Sequence, residues 1–491
     1  MGTALNGLTS LFIFVIGLAA LALVVVFFID RYQTTDTVRR NYPVIGRMRY
    51  ILSDLGEFFR QYFFAMDREE MPFNRAQREW VNEAARNHST NVAFGSTRNL
   101  DPVGTPIFVN CPWPTLEEDA VKAPPMAIGA GVARTPYEAP SIFNISGMSY
   151  GALSTPAVRA LSNGAAKAGC WMNTGEGGLS PYHLEGGCDL VFQIGTAKYG
   201  VRDEEGSLSD DKLCEVAAHE QVKMFEIKLS QGAKPGKGGI LPAAKVNAEI
   251  AEIRGIKEGQ ASISPNRHPE IGNNAELLDM IARIREATGK PVGIKTVIGA
   301  YGWIQELFAE INQRGTDSAP DFITVDGGDG GTGAAPMPLI DNVGLTLREA
   351  LPMLVDLRDK AGLKDRIRIV ASGKLVTPSE VAWAICAGAD FVISARGFMF
   401  ALGCIQAMKC NKNTCPTGIT THDPALQRGL DPTNKAVRVQ NFVEQMRKEV
   451  GVIAHSCGVP EPRRLKRFHV RLVCPDGRSR PLDELYPPIQ S

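Results

Sequence analysis

Three of the ten cysteines in this 491-residue chain fall within twelve residues, as Cys404-x5-Cys410-x4-Cys415, and Pro416 follows the last. A disulfide uses only two of them, and so tight a triplet would make a strained loop. Thiolate ligation of iron needs several soft donors converging on one point, which clustered Cys supplies. Three cysteines with no obvious fourth suggest a three-iron cluster; three packed thiols are the plainer alternative, because Cys is among the most buried residue types. Upstream lie charged residues in or just after apolar runs: Glu176 in Asn173-Thr174-Gly175-Glu176-Gly177-Gly178, Lys228 and Lys234 around Gln231-Gly232, and Lys295 inside Val-Gly-Ile-Lys-Thr-Val. Two strand-borne lysines and a glutamate beside glycine-rich turns suggest a bound anionic cofactor.

The elements that must position these residues are short and apolar. From about residue 141, apolar runs end in Gly-rich or polar residues and are followed by helical periodicity. The expected strands are 141–146, 169–173, 190–194, 224–229, 291–297, 322–326, 367–372 and 391–395, with helical spacing over 156–168, 275–288, 347–361 and 379–387. Eight buried strands alternating with helices over ~250 residues predict an α/β fold, a (β/α)8 TIM barrel; a doubly wound sheet is the alternative. A barrel places its active site at the C-terminal strand ends. Those ends read Ser146-Gly147-Met148-Ser149-Tyr150-Gly151, Asn173 to Gly178, Lys228 to Gly239, Asp326-Gly327-Gly328-Asp329-Gly330-Gly331-Thr332-Gly333, Ser372-Gly373-Lys374 and Ala395-Arg396-Gly397. Glycines let backbone N–H groups approach a ligand, and the loops after the seventh and eighth strands commonly form a phosphate site. Each run alone could be a simple turn, Lys295 could snorkel to solvent, and Glu176 could cap a helix. His183, His268 and His422 are isolated and expected to be structural. Gly129-Ala130-Gly131 lacks the strand and later glycine of a dinucleotide fingerprint, so no nicotinamide-binding domain is evident.

Composition narrows the class. Lys plus Arg equals Asp plus Glu at 53 each, so no charge bias points to nucleic acid. The remaining cysteines are scattered, unlike a secreted disulfide framework. Leu11 to Ile29 holds 19 consecutive uncharged residues, enough to span a bilayer core at ~1.5 Å per residue. No Lys or Arg precedes this run, whereas Arg31, Arg39, Arg40, Arg47 and Arg49 follow it. That asymmetry predicts a single-pass membrane anchor with the catalytic body in the cytoplasm. The segment from Ile51 to Met66, with Phe58, Phe59, Tyr62, Phe63 and Phe64, reads as an amphipathic helix, packed into the body or lying at the membrane surface, with core packing preferred. The expected organisation is a transmembrane helix over 8–30, a helical juxtamembrane extension over 31–99, an irregular lead-in over 100–140, a barrel with its cysteine loop over 141–425, and a C-terminal helix and tail over 426–491.

Five segments taken together, in order, resemble the FMN-binding synthase domain of glutamate synthase over about residues 100–460. They are Gly-Met-Ser-Tyr-Gly-Ala-Leu-Ser (147–154), Asn-Thr-Gly-Glu-Gly-Gly (173–178), Lys-Leu-Ser-Gln-Gly-Ala-Lys-Pro-Gly-Lys-Gly-Gly (228–239), Asp-Gly-Gly-Asp-Gly-Gly-Thr-Gly-Ala (326–334) and the cysteine triplet with its proline. The resemblance implies FMN held by the strand ends at Gly147, Met148, Ser149, Asn173, Lys228, Lys295, Asp326, Gly327, Gly328, Gly330, Gly331, Thr332, Gly333, Ser372, Gly373, Lys374, Ala395, Arg396 and Gly397. It implies a 3Fe–4S cluster on Cys404, Cys410 and Cys415, and reductive amination of 2-oxoglutarate to glutamate. In that scheme a cation at Lys295 stabilises the anionic reduced flavin. Lys228 and Lys234 lie near flavin and substrate, with Gln231 beside them, and Arg254 forks onto a carboxylate. Glu176 faces the 2-oxo or imino group as an acid–base residue, so Glu176, Lys228 and Lys295 are the expected catalytic residues.

Departures from the pattern concern the substrate side. The family commonly has Gln where Ile240 stands, Ser264-Pro265-Asn266-Arg267-His268-Pro269 replaces a double-His segment, and Thr296-Val297-Ile298-Gly299 replaces a Ser-Glu pair. No glutaminase domain or processed N-terminal cysteine is expected in this chain, and ammonia is expected from solution or from a separate amidotransferase. Electrons are expected from ferredoxin or a reductase subunit. Two further readings are an N-methylglutamate synthase-like enzyme using another amine, and a non-catalytic electron-transfer subunit; intact Lys295, Lys234 and Glu176 argue against the second.

Overall fold

A computed structural model describes residues 2–487; Met1 and the last four residues of the expected C-terminal tail, 488–491, lie outside the described residues. The chain forms two compact units, Met1–Ala76 and Gln77–Ser491. In the second unit, eight parallel strands close into a barrel: β1 Phe143–Ile145, β2 Met172–Asn173, β3 Leu190–Ile194, β4 Val222–Lys228, β5 Val292–Thr296, β6 Phe322–Asp326, β7 Arg368–Ser372 and β8 Phe391–Ser394. They pair in chain order, and β8 returns to β1 through Val392 opposite Phe143. Almost every strand residue is buried. This explains the continuous apolar runs, since both faces of a parallel barrel strand are covered. Helices Thr155–Ala168, Asn274–Thr288, Leu347–Lys360 and Pro378–Ala387 occupy the expected stretches.

The two ends of the barrel differ in chemistry. A short antiparallel pair, Met126–Ile128 with Tyr137–Ala139, packs Ile128, Tyr137 and Ala139 against Trp171, Phe322 and Phe391 near the strand starts, sealing that end with apolar surface. The opposite end carries the buried lysines Lys228 and Lys295, whereas beside the strand starts buried Asp321 is neutralised by Arg285 and Arg366. Outside the barrel wall, Phe143 of β1, Phe398 and Phe442 form a triad with ring centroids 5.2–5.6 Å apart. Helix Pro432–Ser456, which carries Phe442, lies on helix Thr155–Ala168 closely enough that a Cβ on Gly164 would come within 2.5 Å of Val439.

Two regions are more ordered than the sequence suggested. The stretch 100–140 contains Pro106–Phe108 as well as the antiparallel pair above. Pro106–Phe108 pairs with Val470–Val473 of the C-terminal tail, which pairs in turn with Ser479–Pro481. This sheet joins segments more than 360 residues apart, a pairing that local periodicity cannot encode.

The first unit contains helix Gly2–Tyr32, of which Leu5–Tyr32 is the one helix among the described residues long and apolar enough to cross a membrane. Helix Met48–Phe59 follows and widens into a π-turn over Arg60–Phe64. The expectation that this amphipathic segment packs into a core is not met. Ile51, Leu52, Leu55, Phe59, Tyr62, Phe63 and Phe64 are all exposed, and the Phe58 side chain lies outside the described residues.

Replacing Phe442 with Ala removes the ring that touches both other members of the triad. A fully buried Phe→Ala change costs about 3–5 kcal/mol. The thermal unfolding midpoint followed by circular dichroism is expected to drop by several degrees; an unchanged midpoint would show that the triad contributes nothing.

Candidate functional site

Register decides which side chains meet at the lysine-bearing end. The β4–β5 pairing sets Lys228 directly opposite Lys295, and the β6–β7 pairing sets Asp326 opposite Ser372. Two buried ammonium groups on adjacent strands repel each other and require counter-charges. Each has one: Lys228 Nζ lies 3.1 Å from Glu176 Oε2, and Lys295 Nζ lies 3.5 Å from Asp326 Oδ2. Lys228 also donates to Gln231 Oε1 at 2.5 Å, Gln231 Nε2 donates to Thr332 Oγ1 at 3.1 Å, and the Gly232 amide donates to Asp326 Oδ2 at 2.9 Å. The loops after β4 and β6 are thereby tied into one wall.

Two clefts share this wall. The larger, about 1070 Å³ and open to solvent, contains Glu176, Lys228, Gln231, Lys234, Arg254, Gly147, Met148, Ser149, Gly331, Thr332, Gly333, Ala395, Arg396 and Cys410. The smaller, about 540 Å³, contains Lys295, Asp326, Ser372, Gly373 and Lys374, and meets the first at Lys228, Gly147, Gly331 and Arg396. Most of the residues singled out in the sequence are thus gathered at one mouth. Others stand behind its lining: Asn173 accepts from the Gly175 amide and donates to Glu226, while Gly327, Gly328 and Gly397 hydrogen-bond to Ser372, Leu345 and Ser394. Gly330 packs against Gly327 and Gly232.

Glu176 sits in a slot made by glycines. A Cβ on Gly239 would lie 2.3 Å from Glu176 Oε1, and one on Gly195 would lie 2.6 Å from Glu176 Cβ. Burial pushes the Glu176 carboxyl up, but the charges of Lys228 and Lys234 outweigh it and hold the group below the usual carboxylate range. Burial, reinforced by Lys228, lowers Lys234. Arg254 is buried, donates to Ser262 Oγ at 3.1 Å and to the Tyr150 carbonyl at 3.3 Å, and keeps its Nε unpartnered beside the cleft. Anchored at both amino groups, this guanidinium is a fixed cation in the cleft wall.

Several contributors escaped the sequence reading. Gln193 and Glu226 lie opposite each other on β3 and β4, and Glu226 accepts from Gln193, Asn173 and Thr324 inside the barrel. Their signal was a polar residue inside an otherwise apolar strand. Lys245 donates to the carbonyls of Cys410 at 2.8 Å and Thr420 at 2.6 Å. The three histidines expected to be structural each contact a site-loop carbonyl through Nε2: His183 that of Met148, His268 that of Lys228 and His422 that of Gly151. A carbonyl only accepts, so each Nε2 carries the proton.

The cysteine loop leaves the barrel after helix Arg396–Leu402. Arg396 Nη1 is 3.7 Å from Cys410 Sγ, the Gln406 amide donates to Cys404 Sγ at 3.4 Å, and Thr417 Oγ1 is 3.3 Å from Cys415 Sγ. Burial raises the Cys404 thiol. Burial also acts upward on Cys415, but hydrogen bonds from Thr417 and Thr420 prevail and bring it to about 7. Gln406, Met408 and Asn413 all have left-handed backbone, with φ of 59°, 51° and 57°. Such residues persist only where surroundings over-determine them. Among the described residues no three His, Cys, Asp or Glu side chains already stand in a metal-holding arrangement.

Burial lowers His183 and His268 from 6.5 to about 4. The unfolded chain binds these protons more readily, so both groups support the fold fully above pH 6.5 and lose that support as pH falls through 4. The thermal midpoint should decline across that window, and the decline should flatten in His183→Asn/His268→Asn. A midpoint constant from pH 6.5 to 4 would contradict the assignment.

Residues 114–460 match the family model described as a conserved region in glutamate synthase. The chain is 39% identical to the glutamate synthase large subunit-like protein YerD of Bacillus subtilis, over 97% of this chain and 98% of that protein. It is 34% identical to the archaeal glutamate synthase [NADPH] of Methanocaldococcus jannaschii, over 67% of this chain but 61% of that protein. Among solved structures, the recombinant flavin-binding domain of baker's yeast flavocytochrome b2 matches 85% of this chain and 86% of its own, with 14% identity and a TM-score of 0.46.

Proposed function

The chain belongs to the glutamate synthase family, and on that premise we propose that it is a membrane-anchored flavin and iron–sulfur oxidoreductase that aminates a 2-oxo acid reductively, most simply 2-oxoglutarate to glutamate. The observation that carries this reading is the cluster of Glu176, Lys228, Lys234 and Arg254 in one cleft, contiguous with a second cleft around Lys295, Ser372 and Lys374. A glycine-walled cleft with a buried lysine and a serine–glycine–lysine turn at the end of β7 suits a planar, phosphate-bearing cofactor. FMN would be held there by Lys295, Ser372, Gly373, Lys374 and Arg396, within a barrel over 141–425. Cys404, Cys410 and Cys415 would hold a 3Fe–4S cluster. This is supported by three soft donors in one strained loop, one of them with a thiol brought to about 7. When bound, FMN supplies hydride and the cluster supplies single electrons.

The protein's own part follows from its charges. Arg254 and Lys234 receive the carboxylates of the oxo acid. Lys228 and Glu176, already paired, line the cleft where a carbonyl or imine would lie; Glu176, held ionised, can take a proton from the incoming amine and return it to the former carbonyl oxygen, which leaves as water as the C–N bond becomes an imine. Ile240 and Leu241 give the same cleft an apolar edge, which favours an alkylated amine as a second nitrogen donor besides ammonia. Electrons would come from ferredoxin or a reductase subunit, and ammonia from solution or a separate amidotransferase. Leu5–Tyr32 would cross the membrane with the barrel on the cytoplasmic side, because arginines crowd the segment that follows.

Purified protein, reduced anaerobically, is expected to regain oxidised-flavin absorbance on addition of 2-oxoglutarate with ammonia or methylamine. Glu176→Gln should keep its colour but lose at least about 100-fold in rate, the usual scale for a positioned acid–base group. A colourless protein, or no response to any oxo acid and amine pair, would overturn the reading. Cys410→Ser should lose its iron by direct metal analysis; unchanged iron content would refute the ligand set.

A further inference from the structure

A knot of charge at the end of the apolar helix fixes where the next helix begins. Asp30 is completely buried, and its carboxylate accepts from Arg39 Nη2 at 2.8 Å, Arg47 Nη2 at 2.8 Å and the Val44 amide at 3.1 Å. Arg47 immediately precedes helix Met48–Phe59, so the start of that helix is pinned within one side chain of the last turns of the candidate span. Met48, Ile51, Leu52 and Leu55 recur at i, i+3, i+4 and i+7 and are exposed, Leu52 by 60%; Phe64 and Met66 beyond them are 76% and 70% exposed. Of the arginines at 39, 40, 47 and 49, the first and third pair with Asp30, which leaves Arg40 and Arg49 near the start of this helix; Asp54, Glu57 and Arg60 follow further along it.

We infer that helix Met48–Phe64 lies in the plane of an anionic lipid surface, its apolar side chains at the headgroup–acyl boundary, as a second membrane contact beside the N-terminal span. The inference rests on the reading of Leu5–Tyr32 as a span. Three observations select lipid as the occupant. The helix starts where the span ends, Arg40 and Arg49 at its beginning suit anionic headgroups, and aromatic residues cluster in its final turns, as they do at membrane interfaces. The buried Asp30 makes the junction rigid, because two guanidiniums neutralise it and fix the turn between the helices.

The test uses the full chain in membranes containing phosphatidylglycerol, with a photo-crosslinking benzoylphenylalanine placed at Leu55 or, as a control, at Leu18. Lipid adducts are expected at both positions. Lipid adducts at Leu18 with only protein adducts at Leu55 would overturn the in-plane contact while sparing the span. No lipid adduct at Leu18 would remove the span and this inference with it. Arg40→Glu/Arg49→Glu should cut the Leu55 lipid yield severalfold without changing that at Leu18; an unchanged Leu55 yield would contradict the anionic-surface assignment.

Discussion

Two lysines that should not be neighbours set the terms for the catalytic end of this protein. Parallel register places Lys228 and Lys295 side by side on β4 and β5, both largely withdrawn from water. Burying one unpaired charge costs several kcal/mol, and two of like sign compound it. The fold answers with one carboxylate for each, Glu176 from the turn after β2 and Asp326 from the end of β6. Those carboxylates in turn dictate the glycines around them, since Gly195 and Gly239 leave the space into which Glu176 folds.

Beneath this pair, Glu226 gathers three hydrogen bonds from three other strands and makes the barrel interior a connected polar layer instead of a purely apolar plug. Around it, three histidines grip two carbonyls of the loop after β1 and that of Lys228 at the end of β4. Gln193 reaches the lining of both clefts, while Glu226 and the histidines stand behind it. Both hold the backbones from which the cleft residues project, and angular precision in the charged groups depends on such supports. The opposite barrel end is closed by aromatic packing and carries a separate charged knot, in which buried Asp321 pairs with Arg285 and Arg366 and accepts from the Val292 amide. The division matches the general separation of stability and chemistry between the two faces of such barrels.

The cysteine loop and the first unit are organised by different constraints. In the loop, backbone strain at Gln406, Met408 and Asn413 and hydrogen bonds to sulfur shape a short segment around soft donors. In the first unit, one buried aspartate and two arginines convert the end of an apolar helix into a fixed corner.

The amino-acid sequence by itself determined the barrel's strands to within a few residues, because strands covered on both faces are predominantly apolar and end in glycine-rich or polar residues. It also determined which charged residues end those strands, the span-length apolar helix, and the three clustered thiols. Only tertiary structure decided that Lys228 faces Lys295, that Glu176 reaches back to the first of them, and that the far C-terminal strands complete a sheet begun at Pro106. It also exposed the Met48–Phe64 face that periodicity alone assigned to a core. Each of these depends on contacts between residues tens to hundreds of positions apart. Periodicity reports which face of an element is apolar; it carries no information on what that face, or a charge at its end, will meet.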